Sequence, residues 1–285
     1  MTNRMKRFPT GAAALAVAVV LIFGSGAALA ADAAPAAKPQ AAAPAEAAKD
    51  PKAMEILLRM ANYLAKAPNL GVTVLSSYDA IQEDGEYIEF GDRRRVELVR
   101  PNRLHVDVER SDGDKGGLVF DGKAITAFKP ADNVYAVVEK ADTVDEVLVY
   151  VVKEMQVPLP LARLFTTTLP QQMEKLVREI AYVETDRLFD VPTDHLAVRG
   201  DEVDFQIWVA QGDKPFPRRV IITYKNAPGS PQYRALLNDW TMTAAAADKF
   251  VFTPPAGAEK VPLIIPARER RPSATKAATK QGGAK

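Results

Sequence analysis

Two histidines, His105 and His195, are the only imidazoles in this 285-residue chain, and it has no cysteine. Acid–base or nucleophilic chemistry would have to be built around them or around paired carboxylates. His105 alternates with Arg103, Asp107 and Glu109, so a strand would set all four on one face, with His105 and Asp107 as an acid–base pair. The same spacing describes a solvated sheet face, which is the simpler reading. His195 falls on the face opposite Leu196 and Val198 and reads as part of a hydrogen-bonding surface. No Gly-x-Ser-x-Gly elbow, phosphate loop or histidine pair at zinc spacing occurs. Asp112-Gly113-Asp114 resembles the start of a calcium loop but lacks the later carboxylates, and reads as a hairpin turn. Arg93-Arg94-Arg95 has the charge to hold an anion, yet inside a long strand such a run marks an exposed or edge segment. Without cysteine there are no disulfides, thiolate metal sites or N-terminal lipid anchor, and two histidines build no multi-histidine cage. The chain reads as non-enzymatic, with no cofactor and no metal.

The first residues say where it works. Arg4, Lys6 and Arg7 precede an apolar run over 12–23, and Ala28-Leu29-Ala30 is a small-x-small cleavage site before Ala31. That is the anatomy of a secretory signal peptide over 1–30, with an apolar core too short to span a bilayer comfortably. Its removal takes Lys+Arg from 37 to 34 against 36 Asp+Glu. The near-neutral remainder has no electrostatic reason to seek nucleic acid. No second hydrophobic stretch reaches membrane-spanning length, so a soluble periplasmic protein is expected.

The elements that must position any site follow from periodicity. Residues 31–49, almost all Ala and Pro, read as a disordered linker. Asp50-Pro51 opens a helix whose apolar stripe is Ile56, Leu57, Met60 and Leu64, and Pro68 closes it. Period two then predicts strands over 70–82, 86–99, 104–109, 118–120, 124–128 and 134–139, with 111–117 as a turn. Helices are predicted from 142 or 143 to about 155 and from 170 to about 180, the second carrying Ile180 in its buried stripe. Strands resume over 181–185, 195–199, 203–210, 218–225 and 233–243, and 250–252 reads as a last short one. Roughly ten strands with helices at the start and middle indicate α+β: a strongly curved antiparallel sheet, a half-open β-barrel, with helices on its concave side. Residues 50–265 would form this single domain and 266–285 a basic disordered tail.

Such a sheet can leave a cleft between itself and its helices. Val203, Phe205, Ile207 and Val209 share one strand face; Val220, Ile222 and Tyr224 form another row; Trp240 falls with Leu236 and Met242. Most of these must be core. The residues expected to line a cleft for acyl chains are Phe205, Ile207, Val220, Ile222, Tyr224, Leu237 and Trp240.

The segments Asp194-His195-Leu196-Ala197-Val198-Arg199 and Asp204-Phe205-Gln206-Ile207-Trp208-Val209 carry a family resemblance. So do Lys214-Pro215-Phe216-Pro217-Arg218-Arg219, Val220 to Lys225, and Pro231-Gln232-Tyr233 with Trp240. Together they resemble a bacterial family of predicted periplasmic proteins with a domain of unknown function. That family usually has a cysteine just before His-Leu, where this chain reads Pro192-Thr193-Asp194. The stretch Phe250-Val251-Phe252-Thr253-Pro254-Pro255-Ala256-Gly257-Ala258 is similar to the ending of outer-membrane lipoprotein carriers. The resemblance implies a half-open barrel that shelters lipid or acyl chains; it brings no catalytic residues. The expected function is therefore a periplasmic binding or carrier protein for a lipid or lipoprotein acyl chain. The alternative is a cell-envelope protein-interaction or sensor module without a small ligand.

Overall fold

Asp50 begins the fold by capping a helix: its Oδ1 accepts from the Lys52 and Ala53 amides at 2.9 and 3.3 Å. Helix α1, Pro51–Lys66, buries Ala53, Ile56, Leu57, Met60, Ala61 and Leu64 along one stripe. The coordinates are a computed structural model that describes residues 49–155 and 157–263. The expected leader (1–30), the expected linker apart from Lys49, and the expected tail (266–285) lie outside the described residues.

Strands β1 (Asn69–Ile81), β2 (Tyr87–Val99), β3 (Arg103–Arg110), β4 (Lys115–Phe120), β5 (Ala124–Lys129) and β6 (Val134–Glu139) form one antiparallel meander. Helix α2 (Val144–Lys153), a 3-10 turn (Ala162–Phe165) and α3 (Leu169–Leu176) follow. A second meander runs through β7 (Glu179–Asp186), β8 (Thr193–Arg199), β9 (Asp204–Ala210), β10 (Pro217–Thr223) and β11 (Gln232–Thr241). The two halves join where β11 pairs with β1, giving one curved sheet in the order β12-β6-β5-β4-β3-β2-β1-β11-β10-β9-β8-β7, in which β12 is Glu259–Lys260.

This order explains the helix layer. The chain leaves the sheet at β6, near one edge, and must re-enter at β7, the other edge. The α2–α3 connection therefore crosses the face that α1 also covers. Val144, Val147, Leu148 and Val151 of α2 and Leu169 and Met173 of α3 join the α1 stripe in one core with Leu70, Val72, Leu98, Leu104, Phe120, Ile125, Leu196 and Ile207. Arg100 clips the layer to the sheet. Its guanidinium donates to the Ala67 carbonyl at 2.9 Å, the Phe165 carbonyl at 3.0 Å and Asp145 at 3.3 Å. Asp145 also accepts from the amide and hydroxyl of Thr167. Burial lowers the Arg100 pKa, against the pull of Asp145.

The convex face is strapped rather than bare. After β11 the chain crosses it: Lys249 pairs with Glu97 at 2.7 Å, Phe250 is buried, and Phe252 packs on Phe128 and Tyr135 with ring centroids 5.3 Å from each. Gly117 lets Phe128 lie flat there, since a Cβ would run into its ring. The strap is a 3-10 turn, Ala247–Phe250, where a strand over 250–252 was expected. Two other expectations shift. Helix α3 ends at Leu176, so Ile180 belongs to β7 instead, held by the Asp50 amide on its carbonyl. Strand β4 starts at Lys115, inside the expected turn, because Lys115 and both glycines pair with β3. The arginine run lies in β2, between β1 and β3, so it is not an edge.

Candidate functional site

Register along β1 and β2 sets opposite pairs on the concave face: Leu70–Leu98, Val72–Val96, Val74–Arg94, Ser76–Asp92, Tyr78–Phe90 and Ala80–Ile88. The series changes character midway. Leu70 is 2% exposed beneath the helices, whereas Phe90 is 42% and Ile88 38% exposed. On the neighbouring strands Tyr233, itself buried, stands opposite Tyr78, and half-buried Ile222 and Phe205 continue the row, Ile222 opposite Tyr233 and Phe205 opposite Ile222. The Tyr78 and Phe90 rings stack at 6.1 Å. The helices thus cover half of the concave face, and an aromatic trough remains beside them.

A polar cluster forms the floor where the halves meet. Arg94 Nε and Nη2 donate to Asp92 at 3.0 and 2.7 Å, and Ser76 Oγ donates to Asp92 Oδ1 at 2.6 Å. The Asp92 and Arg94 side chains are 7% and 21% exposed. Burial works against the Arg94 charge, but bonding and attraction to Asp92 outweigh it and its pKa lies above the ordinary value. Burial likewise raises the Tyr233 and Tyr224 hydroxyls, so both stay protonated at neutral pH.

The seven expected lining residues fall into three places. Phe205, Ile222 and Tyr224 are half-buried at the open trough. Ile207, Val220 and Leu237 are buried in the core. Trp240 lies at the helix-covered end, stacked on Phe216 at 4.9 Å and donating to the Pro217 carbonyl at 2.8 Å. Leu236 does not share its face: Asp239, at φ 55°, adds a residue to β11, so Leu236 points outward opposite Leu75. Sequence reasoning missed Asp92, Ser76, Tyr78 and Phe90, and weighed Arg94 only as one of three arginines in an exposed or edge run. The available signal was spacing, since Arg94 and Asp92 lie two and four residues before Val96 and so share its face.

The histidines occupy the convex side. His195 stacks on Trp208 at 4.0 Å, Arg219 lies 4.8 Å over the same indole, and His195 Nε2 meets Gln206 Oε1 at 3.0 Å. It is nearly buried, not part of an open surface. His105 Nε2 lies 3.1 Å from Asp107, its ring half-buried rather than solvated. Neither has a nucleophile bonded to it. Two further depressions are open and polar-rimmed: about 540 Å³ by Arg59, Tyr63 and Met242, and about 730 Å³ by Asp50, Val198, Phe205 and Thr223. Among the described residues no three His, Asp or Glu side chains gather to hold a metal ion.

The family described as Predicted periplasmic protein (DUF2092) matches residues 53–264. The chain belongs to that family. Within the DUF2092 match lie the sheet, the helices and both halves of the concave face. No curated protein matches the chain significantly. Among solved structures, an uncharacterized conserved protein from Thermus thermophilus is 13% identical, with TM-score 0.44, over 74% of this chain and 99% of that one. Mycobacterium tuberculosis lipoprotein LppX is 12% identical, with TM-score 0.43, over 67% and 96%. A LolA superfamily protein from Nitrosomonas europaea is 11% identical, with TM-score 0.36, over 70% and 97%. No helix among the described residues of this DUF2092 protein is long and apolar enough to cross a membrane.

Proposed function

We propose that this protein is an exported, non-enzymatic carrier that binds the acyl chains of a lipid or lipoprotein in the uncovered half of its concave face. One observation carries the reading: the same inward-facing rows that form core at Leu70 and Leu98 continue through half-buried Tyr78 to exposed aromatic and aliphatic surface at Phe90 and Ile88. An apolar face beside a finished core is an unmet demand for burial. Each methylene taken from water there gains up to about 0.8 kcal/mol. The leader over 1–30, cleaved near Ala30, delivers the chain to the periplasm.

Native mass spectrometry of protein purified from the periplasm tests this, together with uptake of N-phenyl-1-naphthylamine by the delipidated protein. The expected result is a mature chain starting at Ala31, a co-purifying lipid mass, and a probe affinity reduced about tenfold by Ile222→Asp. A protein with no adduct and no probe uptake overturns the reading and favours the envelope-interaction module.

A further inference from the structure

The trough floor holds a positive and a negative charge bound to each other, and this says what kind of polar group it accepts. Asp92 accepts from three donors: Ser76 Oγ, Arg94 Nε and Arg94 Nη2. Arg94 is not saturated. Among the described residues its Nη1 has no acceptor, and Tyr78 and Tyr233 lie near enough to act on its charge. The floor therefore offers N–H donors but little net charge. A carboxylate or phosphate brought onto it sheds its water and meets Asp92 as well as Arg94, so attraction and repulsion largely cancel. An uncharged carbonyl needs only the donors and sheds far less hydration. Arg110, opposite Asp92, is exposed at the rim, where solvent screens its charge.

We infer that Arg94, held by Asp92 and Ser76, binds the uncharged ester carbonyls of an acylated ligand, so that the site selects acyl esters over free fatty acids. The inference rests on the trough being the lipid site proposed above. Asp92 and Ser76 act as positioning residues, fixing the guanidinium plane while cancelling its charge.

The test compares monooleoylglycerol with oleate as competitors for N-phenyl-1-naphthylamine bound to delipidated full-length mature protein. Wild type is expected to favour the ester about tenfold. The double variant Asp92→Asn/Arg94→Met, which leaves no orphaned charge, should remove that preference, weakening monooleoylglycerol about tenfold while leaving oleate and the probe within twofold. Asp92→Asn alone leaves Arg94 uncompensated and should strengthen oleate several-fold, reversing the order. If the double variant does not fold, Asp92→Asn decides: oleate that stays the weaker competitor overturns the inference. Oleate weakened by the double variant as much as the ester marks an anion site and overturns the inference; so does an ester preference that survives it. Probe binding with no ester preference in wild type sinks the ester selectivity alone. Failure of the probe to bind takes down the lipid site and this inference together.

Discussion

The two ends of the concave face are built from the same strands in the same alternation, yet one is core and the other is surface. At the covered end Leu70, Val72, Val96 and Leu98 meet the apolar stripes of the helices. At the open end Ala80, Ile88 and Phe90 belong to 13-residue strands that outrun their neighbours: pairing with β11 stops at Tyr78 and pairing with β3 stops at Asp92. What remains is a two-stranded ribbon projecting past the sheet, a form that needs tethers because isolated hairpins are marginal in water. Asp79 supplies one, accepting from Arg234 at 2.7 Å and from the Gln232 amide at 2.8 Å. Tyr87 supplies another, donating to the Gly229 carbonyl at 2.6 Å. Hydrophobic pattern decides which way a side chain points. Whether it becomes core depends on what else reaches it.

Substitutions at the two ends should therefore behave oppositely. The largest effect belongs to the covered end: Leu57→Ala, at a fully buried α1 position, should cost about 3–5 kcal/mol in urea unfolding. Arg100→Met should cost about 2–3 kcal/mol by the same measurement, since it strands two carbonyls and Asp145 at the clip between helices and sheet. At the ribbon, Asp79→Asn should cost about 1 kcal/mol at pH 6 and nothing in strong acid. The hydrogen bond from Arg234 holds the Asp79 carboxyl below its ordinary value of 3.8. A depressed folded pKa contributes stability that is complete above the unfolded value and is lost as pH falls through the folded one, so the variants should converge there. The smallest stability change, within about 0.5 kcal/mol, belongs to Phe90→Ser in the trough. Only this last variant should lower the probe affinity, by about tenfold. If Phe90→Ser instead unfolds the protein, the open end is core after all.

Most of the architecture was legible from periodicity because the strands are half-buried and alternate cleanly, as over Leu104 to Glu109. The strap was not, because Phe250 and Phe252 pack onto the convex face by isolated contacts that leave no repeat in the sequence. The candidate site was half legible. Phe205, Ile222 and Tyr224 stand out as apolar residues on alternating strands, but what separates them from Ile207 and Val220 is the reach of helices that connect distant strands. Arg94 was obscured by its neighbours: Arg93 and Arg95 point outward, and the triplet reads as a surface charge cluster unless each residue is assigned its own face.

The seam between β1 and β11 has a kinetic consequence. Leu75 sits in the middle of the finished sheet, but its partner Leu236 comes 161 positions later in the chain. Contacts so remote in sequence form late and slowly. A polypeptide delivered amino-end first would present β1 as a raw, apolar border until its far half arrives, the kind of border that invites pairing with the wrong chain. Central position in the native molecule and late completion of its pairing thus fall on the same strand.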